Sequence, residues 1–131
     1  MVGAINEVPG FDRIVAYFGH WPSFHDAIVE RFTLELNGES ILHLRTWNTL
    51  PETDPQGYFR TAQNGIVEFT ISGLRSLELG GSDLEAGCIL FGLRIEVDGD
   101  AYRIELDPCL GIGGWLRCQS VSLGLRLPIE A

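Results

Sequence analysis

The chain has 131 residues, and its 9 basic residues against 18 acidic ones give a formal net charge of −9. With 45% apolar and 21% charged residues it reads as one folded domain over residues 1–131, which excludes wholesale disorder. No apolar stretch reaches the ~18–20 residues of a membrane helix.

All nine basic residues are arginine; there is no lysine. So little positive charge argues against nucleic-acid binding, which depends on a basic surface facing phosphates. Met1–Glu7 has neither the basic start nor the apolar core of a secretory signal. A cytoplasmic protein steered toward basic partners is expected.

The first element is a short helix. Pro9-Gly10 breaks the chain, Asp12 suits a first turn, and Phe11, Ile14, Val15 and Phe18 share one face. Gly19 supplies the stop. About eight residues cannot hold a helix alone, so the apolar stripe must pack on something larger. From Glu30 the period changes to two: Phe32, Leu34 and Leu36 point one way, Arg31, Thr33 and Glu35 the other. Asn37-Gly38 predicts a hairpin into a strand over Ser40–Trp47. Asn48–Asn64, with its prolines and polar residues, reads as a long connection.

Alternation returns at Val67, Phe69 and Ile71, then in a further strand with Leu77 and Leu79 inward. Gly80-Gly81-Ser82-Asp83 makes a turn. Phe91, Leu93, Ile95 and Val97 form one apolar row, and Tyr102, Ile104 and Leu106 form the next across Asp98-Gly99, a strong hairpin signal. After the corner Gly111–Gly114 come Trp115–Cys118 and a last strand with Val121, Leu123, Leu125 and Leu127. The fold class is α+β and predominantly β: about seven antiparallel strands, mainly a meander, with the short N-terminal helix on one face. The other face carries Arg/Glu pairs to solvent.

Cys88, Cys109 and Cys118 are odd in number and lack C-x-x-C spacing, so free thiols acting as buried apolar residues are expected. His20, His25 and His43 show no metal-ligand spacing, and neither metal nor cofactor is expected. Gly19–Ala27 is the one segment that looks chosen. Trp21-Pro22 is extended, and Ser23, His25 and Asp26 stand close together. A Ser/His/Asp set could serve hydrolysis or a small ligand, but triads are defined by geometry and usually draw on distant segments. There is no G-x-S-x-G elbow. On the structural reading Trp21 and Phe24 anchor the loop while His25 and Asp26 satisfy backbone groups. Replacing His25 by alanine would then cost about 1–3 kcal/mol.

The block Phe18-Gly19-His20-Trp21-Pro22-Ser23-Phe24-His25-Asp26-Ala27, followed by a Val29–Leu36 strand, resembles the immunity protein 50 family. These are small bacterial proteins associated with polymorphic toxin systems. Leu90-Phe91-Gly92-Leu93 and Tyr102–Leu106 fit more loosely, so the likeness spans most of the chain while its specific part is Trp21–Ala27. It implies a non-enzymatic protein that binds and neutralises a cognate toxin, and it brings no catalytic residues.

A basic toxin would suit the charge of −9. Contact residues are then expected among Glu52, Asp54, Tyr58, Phe59, Asp83 and Glu85. The alternatives are a small-molecule or hydrolytic module at Ser23, His25 and Asp26, or a structural protein that dimerises through an open strand edge. Glu30–Leu36 and Ser120–Leu127 are the edges to suspect, and the chain is a monomer or a homodimer.

Overall fold

The structure is a computed structural model that describes residues 4–127, with Phe59 described by its backbone alone. A 3₁₀ turn at Ile5–Glu7 leads into α1 (Phe11–Phe18), and six strands follow: β1 (Ile28–Thr33), β2 (Glu39–Thr53), β3 (Phe59–Gly80), β4 (Ile89–Asp98), β5 (Ala101–Leu110) and β6 (Gly113–Arg126). They form one closed antiparallel barrel in the order β1-β2-β3-β6-β5-β4. Two three-stranded meanders therefore join along β3 and β6, and chain order is broken only between β3 and β4.

The helix is where its apolar spacing places it. Ile14 and Phe18 are buried, and Gly19 ends it, donating its backbone N–H to the Val15 carbonyl at 2.7 Å. Gly10 starts it at φ 91, where a Cβ would lie 1.9 Å from the Leu123 carbonyl oxygen. That close approach goes with a backbone hydrogen bond of 2.8 Å from Leu123 N–H to the Pro9 carbonyl, which ties the helix entry to β6. Ile14 and Phe18 share the core with Leu42, Leu44, Phe69, Ile104, Leu116 and Leu123 from the strands. The helix thus completes the barrel core.

Six strands replace seven because β3 is continuous. The Val67–Ile71 and Leu77–Leu79 rows belong to one strand that bends at Gly73, where φ is +67 and a Cβ would stand 2.7 Å from the Gln119 side chain. A register shift between Leu74 and Ser76 follows the bend. Trp115–Cys118 and Val121–Arg126 likewise merge into β6. The expected connection Asn48–Asn64 is instead the far half of the β2–β3 hairpin. Register shifts at Thr46/Asn48 and Thr49/Thr53 absorb Pro51, which lacks a donor for the ladder. The Asp54 carboxylate closes the turn, accepting from the N–H of Gln56 at 2.9 Å and of Tyr58 at 3.0 Å.

Side-chain direction departs from simple alternation in two places, at the end of β1 and at a change of register in β4. β1 stops at Thr33, leaving Leu34 and Leu36 exposed at 42% and 75%. The Ser40 hydroxyl holds both the N–H and the carbonyl of Glu35, which sets a wider turn than Asn37-Gly38 alone would make. Phe91 was expected in the core with Leu93, but shifts around Leu90 and Gly92 rotate it outward to 56% exposure. Among the thiols only Cys118 is buried, while Cys88 is half-buried and Cys109 exposed. No helix among the described residues is long and apolar enough to cross a membrane.

Phe24 and Phe69 are the largest fully buried side chains among the described residues, with ring centroids 5.7 Å apart; Phe24 reaches the core from the loop before β1. It holds φ 61, a left-handed conformation that a bulky residue adopts only when its surroundings compel it. Truncation to alanine should cost about 3–5 kcal/mol, read as a lower denaturant midpoint.

Outside the barrel, His43 Nε2 lies 2.6 Å from the Glu68 carboxylate, which also accepts from Arg126 Nε at 2.8 Å. Burial pushes the Glu68 carboxyl up, but these two hydrogen bonds outweigh it and hold the group below its ordinary 4.5. A carboxylate lowered on folding stabilises the fold above its unfolded value and loses that contribution as pH falls through the folded one. The urea midpoint should therefore decline on acidification below about 4.5, with a shallower decline in Glu68→Gln.

Candidate functional site

An open groove of about 1050 Å³ lies beside β4. Five segments line it. Trp21, Pro22 and Ser23 from the loop after α1 form one wall, and Phe91–Glu96 of β4 run along it. Arg103, Glu105, Leu106 and Asp107 of β5, Gly114 and Trp115 of β6 and Ile5 of the N-terminal turn complete the lining. Trp21 is fixed by stacking on Phe11 at 5.0 Å and by edge contact with Phe24 at 5.5 Å. The wall is therefore continuous with the core.

The charges on the β4–β5 surface follow from the hairpin register. Asp98 pairs with Ala101, which sets Arg94 opposite Glu105 and Glu96 opposite Arg103. Glu105 accepts from Arg103 Nε at 2.8 Å and also from Arg94. The hydrogen bond from Arg103, and then that from Arg94, hold the Glu105 carboxyl below its ordinary range. The hydrogen bond to Glu105 in turn pushes the Arg94 guanidinium above its ordinary value. Arg103 lies over the Trp115 ring, 4.6 Å from its centroid. Arginine, carboxylate and tryptophan are thus locked together. Such an array suits recognition, because a general acid or base needs a group free to exchange its proton.

The Ser23, His25 and Asp26 set is not gathered into this groove. Ser23 lines it, whereas His25 and Asp26 do not. The Ser23 hydroxyl accepts from the His25 backbone N–H at 3.3 Å, and His25 Nδ1 lies 3.2 Å from the Asp26 carboxylate. Both side chains are more than half exposed, at 55% and 60%, and the imidazole packs edge-on against Phe91 at 5.1 Å. The expectation that these two side chains satisfy exposed backbone groups where the loop enters β1 is corrected. Ser23 bonds the loop backbone, while His25 and Asp26 pair with each other in solvent. Trp21 and Phe24 do anchor the loop.

The acidic and aromatic residues expected to make contact are split between two ends of the barrel. Glu52, Asp54 and Tyr58 sit at the tip of the β2–β3 hairpin, where Asp54 builds the turn and Tyr58 is 72% exposed. The Phe59 side chain lies outside the described residues. Asp83 and Glu85 lie in the connection after β3, Glu85 within a 3₁₀ turn at Leu84–Ala86. The 22-residue β3 separates the two groups by a contour of about 70 Å. Only Asp83 and Glu85 are near the groove, since Gly80 pairs with Gly113 and Glu78 pairs with Trp115. Glu78 and Asp107 add two more exposed acids at that end.

Sequence reasoning missed Phe91, Arg94, Glu96, Arg103, Glu105 and Trp115 as a group. The signal was present only in part: the two turn residues are Gly99 and Asp100, and a turn placed one residue earlier at Asp98-Gly99 would have set Arg94 opposite Arg103. What makes them a site is the bulge before Gly92 and the approach of Trp21, and both are tertiary facts. No group of three or more His, Cys, Asp or Glu side chains that could hold a metal ion occurs among the described residues. In comparisons with known proteins, no family model, no curated protein and no solved structure matches this chain.

Because His25 and Asp26 pair in solvent, His25→Ala should change stability by no more than about 0.5 kcal/mol. A thermal or urea melt of the variant measures this directly.

Proposed function

We propose that the protein is a non-enzymatic inhibitor of the immunity type, which neutralises a basic toxin by covering its surface. The observation that carries this reading is that Trp21, Pro22 and Ser23 form a wall of the groove beside β4. Those residues belong to the block that resembles the immunity protein 50 family. The groove brings together two tryptophans, Phe91 and two arginines, residue types that supply most of the energy in protein interfaces.

Charge supports the same reading. Glu78, Asp83, Glu85 and Asp107 lie at the groove's end of the barrel, and the whole chain carries −9. Such a surface speeds encounter with a basic partner, and the gain fades as salt rises. The hydrolytic reading has less support, since His25 and Asp26 do not line the groove.

The test uses the toxin domain encoded beside this gene, with cell rescue and binding affinity as readouts. Phe91→Ala and Trp115→Ala should each weaken binding by about 30-fold or more while leaving the melting temperature within a few degrees of the parent. Failure of the intact protein to rescue toxin-exposed cells, or turnover of a substrate by purified protein, overturns the proposal.

A further inference from the structure

The barrel closes through very little. β1 and β4 share one paired position, Ile28 with Ile89, supported by backbone hydrogen bonds from Asp26 N–H to Leu90, Leu90 N–H to Ala27 and Val29 N–H to Cys88. Beyond Leu90, β4 continues to Asp98 with β5 on one side. Among the described residues, no strand or loop backbone bonds to Leu93–Val97 on the other side. Phe24 and Asp26, both at positive φ, turn the preceding loop away from a strand path. The groove beside this edge is lined by Leu93–Glu96, with Ile5 and Trp21–Ser23 lining it as well.

An open edge is normally blunted by proline, by charged side chains (lysine above all), by a bulge, by shortness or by a covering loop. Leu93–Val97 has neither proline nor lysine, and the bulge before Gly92 lies outside it. Its register with β5 is unbroken from Gly92 to Asp98, and its two charges, Arg94 and Glu96, are opposite in sign and two residues apart. We propose that β4 pairs with β4 of a second copy of this chain, antiparallel and centred on Ile95.

Symmetry selects that register. A two-fold axis perpendicular to the sheet keeps each side chain on its own face, so paired residue numbers must sum to an even value. Centring on Ile95 gives a sum of 190, which puts Arg94 opposite the second copy's Glu96 and Leu93 opposite its Val97. Arg94 and Glu96 are 71% and 51% exposed, and both can reach across. Val97 is 48% exposed and gains cover. The outer row then reads Glu105, Arg94, Glu96, Arg103 from one copy into the next, alternating in sign throughout. Other bare edges lack this match. The stretch Leu74–Gly80 of β3 is irregular between Leu74 and Ser76, and its Arg75 is held by Asp100 at 2.7 Å. β1 has only six residues and a shift between Val29 and Arg31.

The inference does not rest on toxin binding, and its test uses the full chain alone. Light scattering after gel filtration, over a concentration series, should show a two-chain species that weakens on dilution. Glu96→Arg sets like charges opposite each other twice and should raise the dissociation constant by about tenfold or more, while leaving Arg94 and Arg103 on Glu105. Arg94→Glu should do the same. An equimolar mixture of the two variants restores opposite charges at both positions and should recover the two-chain species. Should Arg94→Glu fail to fold, amide exchange of the parent decides, with concentration-dependent protection expected over residues 93–97. A parent that stays one chain at every concentration, a dimer indifferent to Glu96→Arg, or protection confined to other strands would each overturn the proposal.

Discussion

The molecule hangs on the pairing of β3 with β6. β2 and β3 run together only as far as Glu39 with Ser72, whereas β6 follows β3 from Ile66 to Gly80. One strand therefore belongs to the first meander in its early part and to the second in its late part. A straight strand could not do both within a barrel; the bend at Gly73 allows it, because the backbone there takes a conformation closed to a side chain packed against Gln119. With the main joint made there, the opposite seam between β1 and β4 can remain slight. The groove, the turned-out Phe91 and the bare edge of β4 all occupy the region that the slight seam leaves uncovered.

The sequence was readable wherever a residue's direction depends on its immediate neighbours. Helix α1 follows from Phe11, Ile14 and Phe18 with a glycine on either side, and β4 and β5 follow from alternation around Asp98-Gly99. It was unreadable wherever one extra residue shifts the register. The bulge near Gly92 sends Phe91 outward, and the wider turn held by Ser40 strands Leu34 and Leu36 in solvent. Nor does alternation distinguish a long bent strand from two short ones, since a glycine at a bend resembles a glycine at a turn. That ambiguity accounts for six strands where about seven were expected.

The functional reading shows the same divide. Trp21–Ala27 stood out by composition, and Trp21 proves to be a structural wall stacked on the helix. Its companions could not be read from the chain, because β4, β5 and β6 meet that wall only after the barrel has closed. The aromatic and charged residues of the groove are ordinary sheet residues one at a time. Their meaning comes from register, which places a guanidinium above Trp115 and a carboxylate between two arginines.

The thiol of Cys118 offers a view into this arrangement. It sits on β6 between Leu74 of β3 and Tyr102 of β5, and burial pushes it up to about 11. Alkylating reagents act on the thiolate, so at neutral pH this sulfur stays silent while the strands remain zipped. The exposed Cys109 has no such shelter. Labelling of the hidden sulfur thus keeps time for the breathing of the central joint, a clock that the chain carries without any added dye.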